Sequence, residues 1–253
     1  MSIISIANHK GGVGKTTTAI NLAAGLARAG RKVLLIDMDP QANATCALGL
    51  AKQDQTIYHV LVFQDDIRKF VKPLNSHLDI IPSSIHLAAF EKNAEVGKEF
   101  ILQESLSLIS DEYDYIIIDC PPSLGTLTVT ALTASDYVLV ALQPEFLSLN
   151  GMQEFIKILR TVKTRMNPKL ELLGIVITQY DSRKVLHQEI VEHALNTYKE
   201  MVFKTRIRGN IALAEAQSLG KDIFEYDNEC NGAEDYFSLT QEVIKLTAQL
   251  VGS

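Results

Sequence analysis

Hydrophobic residues in this chain form short, nearly continuous runs that alternate with longer stretches of helical periodicity. The apolar runs are rich in Val, Ile and Leu, which is typical of strands buried on both faces. They predict strands at 3–7, 32–37, 78–82, 113–119, 136–142 and 171–178, with a weaker seventh at 202–207. The helical patterns cover 15–29, 84–109 with a break near 97, 124–134, 148–166, 184–197 and 235–250.

This alternation predicts an α/β fold in which a mostly parallel central sheet is flanked by helices on both faces. The chain has no Pro/Gly/Ser-rich linker, internal repeat or low-complexity tract, so we expect residues 1–253 to form a single domain. Ligands bind such sheets at the carboxyl ends of the strands. The polar residues that follow each apolar run are therefore the candidates for chemistry.

Composition narrows the class of protein further. The 253 residues are 47% hydrophobic and 21% charged, which is typical of a globular protein. The first apolar run is too short for a signal-peptide core, and the longest runs fall below the ~18 residues of a membrane span. Three cysteines, Cys46, Cys120 and Cys230, share no metal-ligand spacing. We therefore expect a cytoplasmic protein, and no membrane partner is expected because the C-terminal stretch lacks a basic amphipathic face.

The stretch NHKGGVGKTTT, residues 8–18, follows the first predicted strand and precedes the first predicted helix. It resembles the phosphate-binding loop G-x-x-x-x-G-K-[ST] in the structural context that this motif requires. Gly14, Lys15 and Thr16 match the end of the motif, but His9 stands where its first glycine is expected. The loop also contains a second cation, Lys10, before the glycines.

A glycine-rich turn of this kind directs successive N–H groups at one anion, and the following helix adds its positive end. Lys15 is predicted to reach the β- and γ-phosphates, and the Thr16 hydroxyl to ligate Mg²⁺. The expected cofactors are thus ATP and Mg²⁺. The residues of the loop predicted to bind ATP are Lys10, Gly11, Gly12, Val13, Gly14, Lys15, Thr16 and Thr17.

Lys10 has two interpretations. It is either an ordinary exposed lysine or a cation that serves the phosphate site of a second subunit. A cation supplied by a partner chain accelerates phosphoryl transfer by roughly 10³–10⁵ in arginine-finger systems.

KGGVGKTT resembles the deviant Walker A motif of the MinD/ParA family of ATPases. The resemblance implies that Lys10 crosses a two-fold interface and that two ATP molecules lie between two protomers. It therefore implies a homodimer in the presence of ATP.

Two acidic motifs lie at the ends of predicted strands. Asp37 and Asp39 lie in VLLIDMDPQANAT, and Asp119 ends the apolar run of YIIIDCPPS. Carboxylates at these ends can hold a metal or orient water. By resemblance to the family, Asp39 belongs to switch I and positions the attacking water, and Asp119 is the Walker B aspartate. The predicted catalytic residues are Lys10, Lys15 and Asp39, and the predicted metal site is Thr16, Asp39 and Asp119.

The resemblance is closest to ParA/Soj partition ATPases and extends over nearly the whole chain, through DMDPQANAT, DCPPSLG, QPEFLSLNG, TQYDSR and EAQSLGKDIFEYD. It implies a switch ATPase that dimerises with ATP, binds double-stranded DNA non-specifically and hydrolyses ATP slowly. A ParB-like or other adaptor would stimulate hydrolysis. The cargo would be a chromosome, a plasmid or a protein assembly, and the ATP state would be associated with the nucleoid.

One segment departs from the family. Where members often have IPRNVRLSEAPS, this chain has IRGNIALAEAQS, so that Ala212 replaces an arginine that contacts DNA. Arg208 and Asn210 remain the predicted contacts to the adenine base.

Between Lys157 and Arg208, eleven Lys/Arg and five Asp/Glu give a local excess of six positive charges in a chain of net charge −6. Such a run is either a solvated face or a DNA surface, and the predicted DNA contacts are Arg183, Lys204 and Arg206.

Two other functions remain open. A MinD-like positioning ATPase would bind membranes through a basic amphipathic C-terminal helix. The C-terminal stretch here has one lysine, Lys245, and its Phe237, Val243, Leu246 and Leu250 are predicted to face the core. A metabolic enzyme on the same fold, such as a carboxylase-like synthetase or an iron–sulfur reductase, is the second alternative. The reductases need paired cysteines that this chain lacks, and the synthetases normally lack the early lysine.

Overall fold

The structure, a computed structural model, describes residues 1–50, 53–92, 94–145 and 148–251. Eight strands of this described part form one sheet, in the order β3-β4-β2-β5-β1-β6-β7-β8. All neighbours pair in parallel except β3 with β4. The strands are β1 (Ser2–Ala7), β2 (Val33–Asp37), β3 (Lys72–Pro73), β4 (Leu78–Ile81), β5 (Tyr115–Asp119), β6 (Tyr137–Leu142), β7 (Glu171–Tyr180) and β8 (Val202–Arg208).

Eleven α-helices lie among the described residues. They are α1 (Lys15–Arg28), α2 (Asn43–Ala47), α3 (Ile57–Phe63), α4 (Ala88–Lys92), α5 (Ile101–Ser107), α6 (Thr126–Thr133), α7 (Ser148–Arg165), α8 (Val185–Tyr198), α9 (Ile211–Ser218), α10 (Ile223–Tyr226) and α11 (Asn231–Val251). Short 3₁₀ turns cover Ile67–Phe70, Ile85–Leu87, Lys98–Phe100 and Lys199–Met201.

The helices cover both faces of the sheet, as the apolar runs predict. In β5, Ile116 and Ile118 belong to a core shared with α3 to α8, whereas Tyr115 and Ile117 face a second core shared with α1, α2 and α9 to α11. Alternate residues of a strand point to opposite faces. The central strands are therefore buried on both sides, and the polar residues at their ends are held in fixed positions.

The carboxyl ends of β1, β2 and β5 meet at one edge of the sheet. Asp37 is the register partner of Asp119, and Ile6, just before the phosphate loop, is also paired with Asp119. This arrangement brings the first predicted loop and both acidic motifs to one place.

The structure corrects two expectations of the sequence. The predicted helical stretch 84–109 has its predicted break near Gly97, at φ 83°, but contains less α-helix than expected: the short helices α4 and α5 and two 3₁₀ turns. In α11, Val243 is fully buried and Leu246 packs partly against the core, but Phe237 and Leu250 are about half exposed. No helix within the described ranges is long and apolar enough to cross a membrane.

Candidate functional site

The loop between β1 and α1 has the backbone geometry of an anion cradle. Gly12 and Gly14 have φ values of 75° and 84°, a left-handed region in which a side chain is strained. Gly14 also caps α1, which begins at Lys15. The unpaired N–H groups of the first helical turn and the positive end of the helix dipole therefore point into the loop. The sequence prediction of an anion-binding turn agrees with this geometry.

Lys15 is held inside the cradle. Its side chain is buried, and its Nζ donates a hydrogen bond to the backbone oxygen of Lys10 at 2.9 Å. Burial lowers the pKa of Lys15, while the charges of Asp119 and Asp39 act in the opposite direction. The ammonium group is thus partly desolvated among carboxylates, where a phosphate would be a strong counter-ion.

Lys10 lies on the outer side of the loop. Its N–H donates to Asn8 Oδ1 at 3.2 Å, and Asn8 in turn donates to the backbone oxygen of Ala141 at 2.6 Å. The Lys10 side chain forms an ion pair with Glu145, which follows β6 in the same chain. The backbone of Lys10 is therefore anchored, while its Nζ is paired with Glu145.

Strands β6 and β7 support the loop through contacts that the sequence did not predict. Thr178 Oγ1 donates to Val13 O at 2.7 Å, and Gln179 Nε2 donates to Gly12 O at 2.7 Å. Gln143 Nε2 donates to Gln179 Oε1 at 3.0 Å. Gln179 adopts a φ of 51°, an uncommon conformation for a non-glycine residue. The motifs QPEF and TQYD contained these residues, but nothing in the sequence assigned them to the loop.

Asp37 and Asp39 have different surroundings. The Asp37 carboxylate accepts hydrogen bonds from Asp39 N, Thr45 N and Thr45 Oγ1 at 2.7–3.0 Å. Burial raises the pKa of Asp37 to about 6, against these hydrogen bonds, which lower it. Asp37 therefore organises the turn that carries Asp39. Asp39 itself is buried, and its Oδ1 accepts from Gln41 N at 2.9 Å.

Asp119 is the most unusual acidic group. It is fully buried, and neither carboxylate oxygen has a hydrogen-bond partner among the described residues. Burial raises the pKa of Asp119 well above its ordinary value, and the negative charges of Asp37 and Asp39 raise it further. The nearby Thr16 hydroxyl and the positive charge of Lys15 lower it. A buried carboxylate without partners is costly, and a divalent cation relieves that cost. Asp119, with the Thr16 hydroxyl nearby, therefore fits a Mg²⁺ site.

A cavity of about 1090 Å³ opens beside the phosphate loop. Gly14 and Thr17 form one wall, and β7, β8 and α9 form the other. Asn210, predicted to contact the base, lines this cavity and caps α9 by accepting from Ala212 N at 3.0 Å. Arg208 lines it too, but its guanidinium is bonded to Asp235 and Glu234 on α11. The two residues remain predicted base contacts, and the pairing of Arg208 limits its reach.

The other predicted cations lie around the same cavity. Arg183 is highly exposed and bonds Asp181 two residues away, while the Arg206 guanidinium lies 4.9 Å from the ring centroid of Tyr180. Lys204 is exposed on β8. The structure thus brings Arg183, Lys204 and Arg206 to one rim beside the phosphate loop.

The three cysteines are free thiols. Cys120 follows Asp119 and is buried, and burial raises its pKa to about 12. It is therefore not a nucleophile at neutral pH.

Comparisons with known proteins agree with this geometry. A family model described as an AAA domain matches residues 1–172. The chain is 44% identical over 246 residues to the sporulation initiation inhibitor protein Soj of Bacillus subtilis, covering 95% of this chain and 97% of the relative. It is 44% identical over 249 residues to the chromosome partitioning protein ParA of Myxococcus xanthus, covering 96% and 88%.

Solved structures extend the likeness to two nucleotide-bound proteins and to a cell division ATPase. Cobyrinic acid a,c-diamide synthase from Mycobacterium smegmatis, with a bound ATP analog and magnesium, superposes with a TM-score of 0.86 at 30% identity, covering 98% of this chain and 96% of that chain. A putative plasmid partition protein of Borrelia burgdorferi bound to AMPPNP has a TM-score of 0.83 at 28% identity, covering 98% of each chain. The cell division ATPase MinD of Pyrococcus furiosus has a TM-score of 0.82 at 27% identity, covering 97% and 99%.

Proposed function

This chain belongs to the Soj/ParA family of partitioning ATPases, and from that premise we propose that it is an ATP-dependent dimerising switch that positions a cargo on DNA. The observation that carries the proposal is the phosphate loop with two differently placed lysines. Lys15 Nζ is bonded within the loop, whereas Lys10 Nζ is paired with Glu145 outside it, and a second subunit would approach on that side.

ATP and Mg²⁺ are the proposed cofactors. Lys15 and the N–H groups of the loop would bind the phosphates, and Thr16, Asp39 and Asp119 would hold Mg²⁺. The cation, when bound, neutralises charge on the phosphates. The fit rests on the unpartnered, buried oxygens of Asp119.

Hydrolysis is proposed to use Asp39 to orient the attacking water. Asp37 supports this role, because its bonds to Asp39 N and to Thr45 fix the turn that carries Asp39. The Lys10 of one protomer would act on the phosphates of the other, so that turnover requires an assembled dimer. We propose that turnover is slow until an adaptor protein of the ParB type stimulates it.

DNA is the proposed surface on which the ATP dimer acts. Arg183, Lys204 and Arg206 lie on one rim and would contact phosphates without reading bases. Pairing two small patches in a dimer raises their effective concentration, which would make binding depend on ATP. The protein would then be cytoplasmic and associated with the nucleoid in its ATP state.

The membrane-associated alternative has weaker support. The exposed residues of α11 include Phe237 and Leu250, but Lys245 is the single lysine of that helix, which contains no arginine. A basic face, which attracts anionic lipids, is therefore missing there.

A metabolic function is the other alternative. Its support is the fold likeness, at 30% identity, to a synthase that binds an ATP analog. The partitioning relatives are 44% identical over nearly the whole chain, and the early lysine of the loop favours the positioning function.

The proposal is tested by DNA binding in defined nucleotide states. In an Asp39→Ala protein, which should hold ATP without hydrolysing it, a fluorescent duplex of arbitrary sequence should bind with ATP and Mg²⁺ but not with ADP. Equal binding in both states, or no binding in either, would contradict the DNA switch.

A further inference from the structure

The ion pair between Lys10 and Glu145 connects the two segments that border the outer side of the phosphate loop. Lys10 belongs to the loop itself, and Glu145 follows the carboxyl end of β6. Both side chains are partly exposed, at 29% for Lys10 and 48% for Glu145. Glu145 also lines the cavity beside Gly14. A carboxylate at the edge of an anion-binding site is unexpected unless a cation accompanies it.

Only the side chain of Lys10 is free to change its position. Its backbone N–H is held by Asn8 and its backbone oxygen by Lys15 Nζ. Asn8 is buried and fixed to Ala141 O. The loop therefore keeps the Lys10 Cα in place, and the Nζ has to leave Glu145 if it is to contact a phosphate outside its own chain.

We propose that Glu145 is a latch that retains Lys10 on its own protomer and opposes dimerisation until ATP is bound. The inference rests on the proposed function, because it concerns the lysine that would cross the dimer interface. Glu145 is a positioning residue in this scheme. It is assigned no contact with the nucleotide or with the attacking water, and it acts by setting the free energy at which Lys10 becomes available.

The size of the effect follows from the exposure of the pair. Exposed ion pairs change an equilibrium constant by up to about fivefold. A two-fold dimer opens two such pairs, so the latch would weaken the dimer by up to about 25-fold. This weakening of the dimer is small compared with the attraction between a lysine and the several negative charges of ATP in a closed site. The latch would thus disfavour dimers without nucleotide and still open when ATP is present.

The test is the dimer dissociation constant, measured by sedimentation velocity with ATP and Mg²⁺ in an Asp39→Ala background. Glu145→Gln keeps the size of the side chain and removes its charge. We expect the Asp39→Ala/Glu145→Gln protein to dimerise up to about 25-fold more tightly than Asp39→Ala alone at low ionic strength. The difference should shrink at high ionic strength, because exposed charges are screened.

Glu154→Gln is the matched control. Glu154 is exposed on α7 and pairs with Lys157, not with Lys10. Both substitutions remove one negative charge from a protomer of net charge −6, so they relieve general repulsion between protomers equally. The control should therefore leave the dissociation constant close to that of the background. A structural defect caused by Glu145→Gln would weaken the dimer and lower the unfolding temperature.

The outcomes separate the latch from the proposed function. If Asp39→Ala dimerises with ATP and Glu145→Gln leaves the constant unchanged or makes it weaker, the latch is wrong and the proposed function stands. If Glu145→Gln and Glu154→Gln tighten the dimer equally, the effect is general repulsion, and the latch is again wrong. If no variant dimerises with ATP, the proposed function is wrong and the latch falls with it.

Discussion

The imidazole of His9 occupies the space that a side chain at Gly151 would need. A Cβ placed on Gly151 would lie 1.7 Å from His9 Cε1 and 2.6 Å from Nε2. His9 stands at the position of the missing first glycine of the phosphate loop, and Gly151 lies in the first turns of α7. The histidine that replaces the usual glycine of the loop is thus accommodated by a glycine more than a hundred residues away in the sequence.

Gly151→Ala should therefore destabilise the protein, although alanine normally favours a helix. Overpacking costs about 2 kcal/mol and the helix gains up to about 1 kcal/mol, so we expect a net loss of about 1 kcal/mol in the free energy of unfolding. In a His9→Ala background the same substitution should instead be stabilising, by up to about 1 kcal/mol. Urea unfolding of the four proteins measures this reversal. The same sign in both backgrounds would show that the two residues are not coupled.

Asp119 and Asp37 end neighbouring strands and should respond oppositely to the same substitution. Asp119→Asn removes a carboxylate that burial and the charges of Asp37 and Asp39 disfavour, and it should stabilise the nucleotide-free protein by about 1–3 kcal/mol. Asp37→Asn replaces one carboxylate oxygen by an NH2 donor, so it loses one or two of three accepted hydrogen bonds and should destabilise the protein by a similar amount. Urea unfolding without nucleotide or metal is the measurement. Two losses of similar size would mean that Asp119 is satisfied within the protein.

The stabilisation of the protein by Mg²⁺–ATP tests whether Asp119 holds the metal. At about 100 times its dissociation constant, Mg²⁺–ATP should stabilise the wild-type protein by about 2.7 kcal/mol. Asp119→Asn should lose most of the part that depends on Mg²⁺, because its carboxylate is the proposed metal partner. If Mg²⁺ raises the free energy of unfolding of the Asp119→Asn protein as much as that of the wild type, the proposed metal site is wrong.

Substitution of the two lysines of the loop should have different effects, one on ATP binding and the other on dimerisation and hydrolysis. Lys15→Ala removes the buried ammonium from the cradle and should abolish ATP binding in a calorimetric titration. Lys10→Ala should retain most of the affinity of a single protomer but lose dimerisation and lower the hydrolysis rate by roughly 10³–10⁵, as loss of a partner-supplied cation does. An equal loss of ATP affinity in both variants would contradict this division.

The rim formed by Arg183, Lys204 and Arg206 should bind DNA electrostatically. Each lost phosphate contact lowers the slope of log K against log salt by about 0.9, and a dimer loses two contacts per substitution. Arg206→Ala in the Asp39→Ala background with ATP should therefore flatten the slope by about 1.8. Arg160→Ala, an exposed cation on α7, is the control and should leave the slope unchanged. If Arg206→Ala behaves like the control, the DNA surface lies elsewhere.

Much of the fold was predictable because the central strands are buried on both faces. The predicted run 113–119 corresponds to Tyr115–Asp119, and 136–142 to Tyr137–Leu142. The short helices α2, α3, α9 and α10 were missed, since four to eight residues carry too little periodicity to distinguish a helix from a loop. They are held by tertiary contacts: Gln217 of α9, for example, donates to Thr17 Oγ1 of α1 at 3.0 Å.

The parts of the site that are formed by consecutive residues could be predicted, whereas the contacts between residues that are distant in the sequence could not. Residues 11–17 follow one another, so their pattern is readable in the sequence. The pairing of Arg208 with Asp235, 27 residues later, depends on how α11 packs against β8. The contacts of Gln143, Glu145 and Gln179 likewise arise only when β6 pairs with β1 and β7 pairs with β6. The sequence shows the alternation of Lys204, Arg206 and Arg208. It does not show that Arg208 forms ion pairs with acidic residues of α11.

The central claim is that ATP joins two copies of this chain through Lys10. Light scattering of the Asp39→Ala protein measures it most directly, with no nucleotide, with ADP and Mg²⁺, and with ATP and Mg²⁺. We predict the mass of a monomer in the first two conditions and of a dimer in the third, with Lys10→Ala abolishing that dimer. A monomer with ATP and Mg²⁺, or a dimer that Lys10→Ala leaves intact, would contradict the account.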